Sequence, residues 1–229
     1  FLKDSKLSKV GENTDDLMGF SIDKKDPLTF YSSGHPSTGG NLGFKKTNDG
    51  GQTWVKVSDG IGGPVDFHSM AVSPIDSNII YGSYGKIQKS TDGGQTWTVL
   101  ENSPAKITSL LADNANESTV YATTQEGIWI SKDEGVNWES LSKDLASGAV
   151  IVLAQNPANS QYMLSVSNSL GLVKSNDGGA TWSKIETAPS TIFYYLAFSQ
   201  SDSQIVYGID KNNEIYRSAD GGINWLKIY

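Results

Sequence analysis

The chain has 229 residues, 24 of them glycine and 7 proline, and a net charge of −7. It has no cysteine, which excludes disulfides and thiolate metal sites. Of the 18 Lys and Arg residues only Arg217 is an arginine, and they form no basic cluster, which argues against a nucleic-acid partner. No apolar run approaches the roughly 18 residues of a membrane span.

Residues 1–14 read as two short strands about the turn KDSK, at 3–6. From residue 15 one unit recurs five times, over about 15–58, 65–103, 106–145, 148–188 and 191–229. Each unit opens on an apolar strand and passes through a polar turn such as SPIDSN (73–78). A second strand follows, rich in aromatic and β-branched residues: TFYSS (29–33), IIYGS (79–83), TVYAT (119–123), QYMLSV (161–166) and IVYGI (205–209). In the second unit the four strands are expected at Phe67–Val72, Ile79–Ser83, Lys86–Ser90 and Thr96–Leu100. Between the third and fourth strands stands an eight-letter motif: TNDGGQTW (47–54), STDGGQTW (90–97), SKDEGVNW (131–138), SNDGGATW (175–182) and SADGGINW (218–225). Its tryptophans are 43, 41, 44 and 43 residues apart.

A period near forty with four short strands per unit predicts an all-β fold, a β-propeller in one domain spanning 1–229. The motif resembles the Asp box, or BNR repeat, of sialidases, sortilin-type receptors, xyloglucanases and photosystem II assembly factors. Asp49, Asp92, Asp133, Asp177 and Asp220 then read as structural. Each carboxylate accepts from backbone N–H groups two residues on, the Ser or Thr hydroxyl does likewise, and the fifth-place glycine takes a positive φ. Five copies of one turn are expected, whereas five copies of one catalytic group would be odd. Residues 1–14 read as the outer half of a further blade. The chain starts at Phe1 and not at Met, so residues upstream are expected to complete a six-bladed ring. The alternative is a five-bladed ring with an N-terminal hairpin packed outside it.

Strand direction alternates within a blade, so the loops between strands two and three share a face with the loops between blades. That face is expected to carry the site. Its longest loop, SSGHPSTGGNLG (32–43), holds His35; the next interblade loop holds Asp66 and His68; Asp15 and Asp16 enter the same blade. These are the chain's only two histidines. Asp16, Asp66, His35 and His68 are the candidate catalytic residues, and His35, His68 and Asp66 the candidate ligands of a divalent ion. Ser147, Glu126 and Asp210 lie on the same face. Phe67, Tyr84, Phe193 and Tyr194 are available there to stack on a sugar or to pack in the core.

DLMGF (16–20), YSSGHP (31–36), NLGFKKTNDGGQTW (41–54) and DFHSMAVSP (66–74) further resemble a bacterial family of exported Asp-box proteins often labelled glycosylhydrolase. The resemblance implies a secreted or cell-surface protein whose signal segment is not in this chain. By position the family's motifs fall on Asp16, His35, Asp66 and His68. Sialidases resembling this repeat hold the substrate carboxylate with three arginines, and Arg217 stands alone. Two readings of function remain. One is a binding scaffold for a glycan, protein or metal, monomeric when complete. The other is a glycoside hydrolase, not a sialidase, using two carboxylates of this face.

Overall fold

The computed structural model describes residues 2–3, 6–146 and 148–229. Phe1, Asp4, Ser5 and Ser147 lie outside them, and with them the centre of the KDSK turn. Among the described residues the chain is all β, without a helix. A short hairpin comes first, β1 (Leu2–Lys3) against β2 (Lys6–Leu7). Five four-stranded antiparallel blades follow in a ring, each a simple meander. The first blade is β3 (Asp16–Ile22), β4 (Phe30–His35), β5 (Phe44–Thr47) and β6 (Val55–Ser58). The second is β7 (Ser69–Val72), β8 (Ile80–Tyr84), β9 (Lys86–Ser90) and β10 (Thr98–Leu100). The third is β11 (Ile107–Ala112), β12 (Val120–Thr124), β13 (Gly127–Ser131) and β14 (Glu139–Ser140). The fourth is β15 (Val150–Asn156), β16 (Asn159–Ser167), β17 (Gly171–Ser175) and β18 (Ser183–Lys184). The fifth is β19 (Phe193–Phe198), β20 (Val206–Asp210), β21 (Ile215–Ser218) and β22 (Leu226–Lys227). This is a five-blade β-propeller. Strand β7 begins two residues later than the sequence pattern suggests, because the Phe67 N–H donates to Ser33 Oγ of the first blade (2.9 Å) instead of entering the ladder.

The eight-residue turn is built alike in every blade. In the second, Asp92 Oδ1 accepts from the N–H groups of Gln95 (3.0 Å) and Thr96 (2.9 Å), and Oδ2 from Thr96 Oγ1 (2.6 Å). The Ser90 hydroxyl donates to Asp92 Oδ1 and accepts from the N–H groups of Asp92 and Gly94. The division of labour thus agrees with the sequence expectation for the hydroxyl and differs from it for the carboxylate. The hydroxyl, and not the carboxylate, takes the N–H two residues beyond it, while the carboxylate reaches three and four residues on. The reason is two successive residues of left-handed φ, Gly93 (73°) and Gly94 (88°), which fold the chain back onto the aspartate. In the third box Glu134 bears that conformation, at φ 62°. Trp97 then closes the turn, its indole N–H donating to the Gly94 carbonyl (3.1 Å) and to Ser58 Oγ of the preceding blade (2.9 Å).

The core lies between blades. Tyr31 and Phe44 of the first blade pack on Met70, Val72 and Ile80 of the second. Ala71, Tyr81 and Ile87 of the second pack on Leu110, Ala112 and Val120 of the third. Tyr121, Ile128 and Ile130 of the third pack on Leu153, Met163 and Val173 of the fourth. Val152, Ala154 and Leu164 of the fourth pack on Leu196, Phe198 and Val206 of the fifth. Burial of a large apolar side chain contributes about 1.5–3 kcal/mol, so these four seams hold the ring and fix where the loops emerge.

Candidate functional site

The loops around the first two blades are strapped together from beneath. Ser33, fully buried within β4, donates its hydroxyl to the Val65 carbonyl (3.1 Å) and accepts from the Phe67 N–H. The Gly43 N–H reaches the same Val65 carbonyl (3.0 Å). The Asn41 amide donates to the Pro64 carbonyl (2.9 Å) and to the Tyr84 hydroxyl (3.2 Å). The long loop after β4 is thereby fastened to the interblade loop 64–68, and both present side chains from a fixed base.

The candidate residues divide into two groups. Asp16 and His35 face each other across the β3–β4 ladder. With Thr14, Asp15, Pro36, Ser37 and Gly39 they line an open depression of about 430 Å³. Asp15 is engaged there: its Oδ2 holds the half-sequestered Lys45 Nζ at 2.8 Å, and its N–H donates to Asn13 Oδ1. The Asp16 carboxylate and the His35 ring meet no hydrogen-bonding or ionic partner among the described residues. Asp66 and His68 form the second group, outside that depression. Asp66 is buried, with Oδ2 3.0 Å from His68 Nε2 and Oδ1 without a partner. The His68 ring stands in solvent. Among the described residues no three His, Asp or Glu side chains stand together as the ligands of one metal ion would.

Of the remaining candidates on this face, the carboxylates are engaged and the phenylalanines buried. Glu126 pairs with Lys106 (3.1 Å). Asp210 accepts from Thr191 Oγ1 (2.8 Å) and from the N–H groups of Asn212 and Glu214. Burial works to raise its pKa, but these hydrogen bonds outweigh it and hold the carboxyl below the usual range. Phe67 and Phe193 are core, each under an indole, while Tyr84 and Tyr194 are exposed. Ser147 lies outside the described residues.

Sequence reasoning missed a second set of carboxylates, on the opposite face. Asp23 and Asp113, the first residues past β3 and β11, cap the polar turns and accept from the hydroxyls of Tyr31 (3.2 Å) and Tyr121 (2.9 Å). The signal was present as an Asp eight residues before the second-strand Tyr.

A family model describing the photosynthesis system II assembly factor YCF48 matches residues 28–171. The chain belongs to that family. Solved structures agree in fold. A structure of YCF48 bound to D1 peptide is similar at 22% identity and a TM-score of 0.63, covering 95% of this chain and 70% of that one. A Niastella koreensis GH74 enzyme is similar at 17% and 0.68, covering 96% of this chain but 46% of its own. A nidogen/laminin complex is similar at 15% and 0.67, covering 89% and 75%. At these identities the likeness is one of fold. Among curated proteins none matches the sequence.

Proposed function

We propose that this YCF48-family propeller is a non-catalytic scaffold that captures an extended segment of a protein partner, at the depression lined by Asp16 and His35. One observation carries the reading: a free carboxylate and a free imidazole face an open pocket whose walls are tied to the blades. A relative's structure is of YCF48 bound to D1 peptide, which supports a peptide as the ligand class. The chemistry of this pocket selects within that class. It carries Asp16 and a chain charge of −7, and the sole arginine, Arg217, lies in β21 and not in these loops. The preferred segment therefore bears lysine or arginine. We further propose a location at the bacterial cell surface, on the family resemblance of the loop motifs.

The hydrolase alternative has less behind it. Asp66 is held by His68, Glu126 and Asp210 are engaged, and the two phenylalanines proposed to stack on sugar are buried. The test is fluorescence anisotropy of labelled lysine- and arginine-bearing peptides against the pure chain. Asp16→Asn should weaken binding by about tenfold, as for a lost charge-assisted hydrogen bond, with the melting temperature unchanged. Equal binding by Asp16→Asn and His35→Ala would remove this pocket from the reading.

A further inference from the structure

The second strands end on the loop face, and their last residues differ in kind. Thr124, Ser167 and Asp210, which close β12, β16 and β20, are polar and 1%, 2% and 2% exposed. Tyr84, which closes β8, is aromatic and 41% exposed. The Asn41 amide holds its hydroxyl (3.2 Å) and reaches the Pro64 carbonyl as well (2.9 Å). The Tyr84 ring and the exposed Pro64 thus stand within the span of one amide group.

Ile61, three residues before Pro64, is 40% exposed, and the structure holds it so. Its N–H donates to Gln88 Oε1 (2.8 Å) and its carbonyl accepts from Gln88 Nε2 (2.9 Å). The Val65 N–H closes the same loop on the Asp59 carbonyl (2.9 Å). Gln88 is buried, opposite Gly82 in the β8–β9 ladder. The equivalent places in the next three blades hold Trp129, Val173 and Tyr216, opposite Ala122, Ser165 and Gly208. A buried amide therefore stands where those blades carry an aromatic or aliphatic side chain. Burying it would be costly without partners, and both of its polar atoms are spent on the backbone of one exposed residue. Single exposed apolar residues are ordinary; three on one fastened rim are a built surface.

This rim shares a loop with the depression of Asp16 and His35. Gly39 lines the depression and Asn41 is bonded to the rim, so the two are joined over two residues, about 7 Å at most between Cα atoms. A segment that brings a basic side chain to Asp16 passes within reach of Tyr84.

We propose that Ile61, Pro64 and Tyr84 form a second anchor of the peptide site and take an aromatic side chain about two to four residues from the basic one. The spacing is that of an extended chain, which rises about 3.3 Å per residue and points alternate side chains the same way. The preference for an aromatic follows from Tyr84, whose ring is held by its hydroxyl and gains from offset or edge contact with a second ring beyond the area buried. Pro64 and Ile61 supply aliphatic walls. The inference rests on the peptide reading of the depression and adds a second determinant of sequence to it.

The experiment measures fluorescence anisotropy of short labelled peptides, each with one lysine and one phenylalanine, against the whole chain. Phenylalanine at the stated spacing should tighten binding about tenfold over alanine at the same place. In Tyr84→Ala, and in Ile61→Ser, which alters only an exposed side chain, that advantage should largely vanish, while the loss on replacing the peptide's lysine by alanine persists. Asp16→Asn should do the reverse. An advantage that survives both rim variants, or none at any spacing, would overturn the inference; if Asp16→Asn still weakens binding, the depression keeps its reading. No binding by any of the peptides would remove both. Cellopentaose binding that is lost in Tyr84→Ala would assign the rim to a glycan and overturn the inference as well.

Discussion

Gly82 tests how the blades are packed. A Cβ built there would lie 2.6–2.7 Å from three ring atoms of Phe67. The ring has nowhere to go, being fully buried with its centroid 5.0 Å from that of Trp97. Gly208 stands in the same relation to Phe193. The equivalent register positions in the other blades hold Ile107 with Ala122, Val150 with Ser165 and Leu17 with Ser32. The larger the first-strand residue, the smaller its second-strand neighbour. Gly82→Ala should therefore cost about 1–3 kcal/mol, the usual penalty of overpacking. At this chain length that is a fall in melting temperature of about 2–12 °C. Phe67→Ile alone should cost about as much, through the cavity it leaves. The double variant, which copies the third blade's pair, should recover at least about 1 kcal/mol of the summed loss. Urea unfolding of the four proteins reads the cycle. Additive losses, or a neutral Gly82→Ala, would show that the five pairs match by coincidence.

Three further expectations follow from the blades and from the lone arginine. Tyr81 lacks the partner that Asp23 and Asp113 give Tyr31 and Tyr121, because Ser73 stands at that place and the Tyr81 hydroxyl is left buried without a hydrogen bond. Tyr81→Phe should be neutral or stabilising, and Tyr121→Phe should cost about 1 kcal/mol; equal losses in urea would refute the distinction. The carboxyls of Asp49, Asp92, Asp177 and Asp220 are held down to about 2 by their turn hydrogen bonds, those from Thr96 foremost for Asp92. A depressed carboxyl lends stability that is complete above its ordinary value and lost as pH falls through the folded one. Unfolding followed by circular dichroism should thus set in between about pH 4 and 2, and Asp92→Asn should flatten that limb; an unchanged limb would disprove the role. Pure protein should not turn over a fluorogenic sialoside, since Arg217 is its only arginine; turnover abolished by Arg217→Ala would contradict this.

The fold was legible because its determinants are local and repeated. Ser90, Asp92, Gly93, Gly94, Thr96 and Trp97 bond almost wholly to one another, so eight letters specify the turn. Which atom takes which N–H was not legible, since it depends on two successive φ angles. The site was legible in part. Topology brought the loop of His35 beside the loop of Asp66, and Ser33, Asn41 and Gly43 fasten them. It did not show that Asp16 and His35 share one depression while Asp66 turns to His68.

Repetition also hides what matters most for the molecule's surface. Tyr81 and Tyr207 occupy the same letter of the same repeat, yet one is buried and the other exposed. No property of either residue or of its neighbours in sequence separates them; only the blade that follows does. Function in such a fold must therefore be sought in departures from the repeat. The ten-residue segment between Ser33 and Phe44, the buried Asp66 with one unpartnered oxygen, and the uncovered faces of β3 and β19 are three such departures. The first two adjoin on one face, and the first serves recognition in our reading through His35. The third is an edge of the architecture, where Phe20, Ile22, Tyr195 and Tyr207 are exposed. Confusing the two kinds would place the peptide on apolar faces, and Asp16→Asn separates them, because it should weaken peptide binding while leaving those faces unchanged.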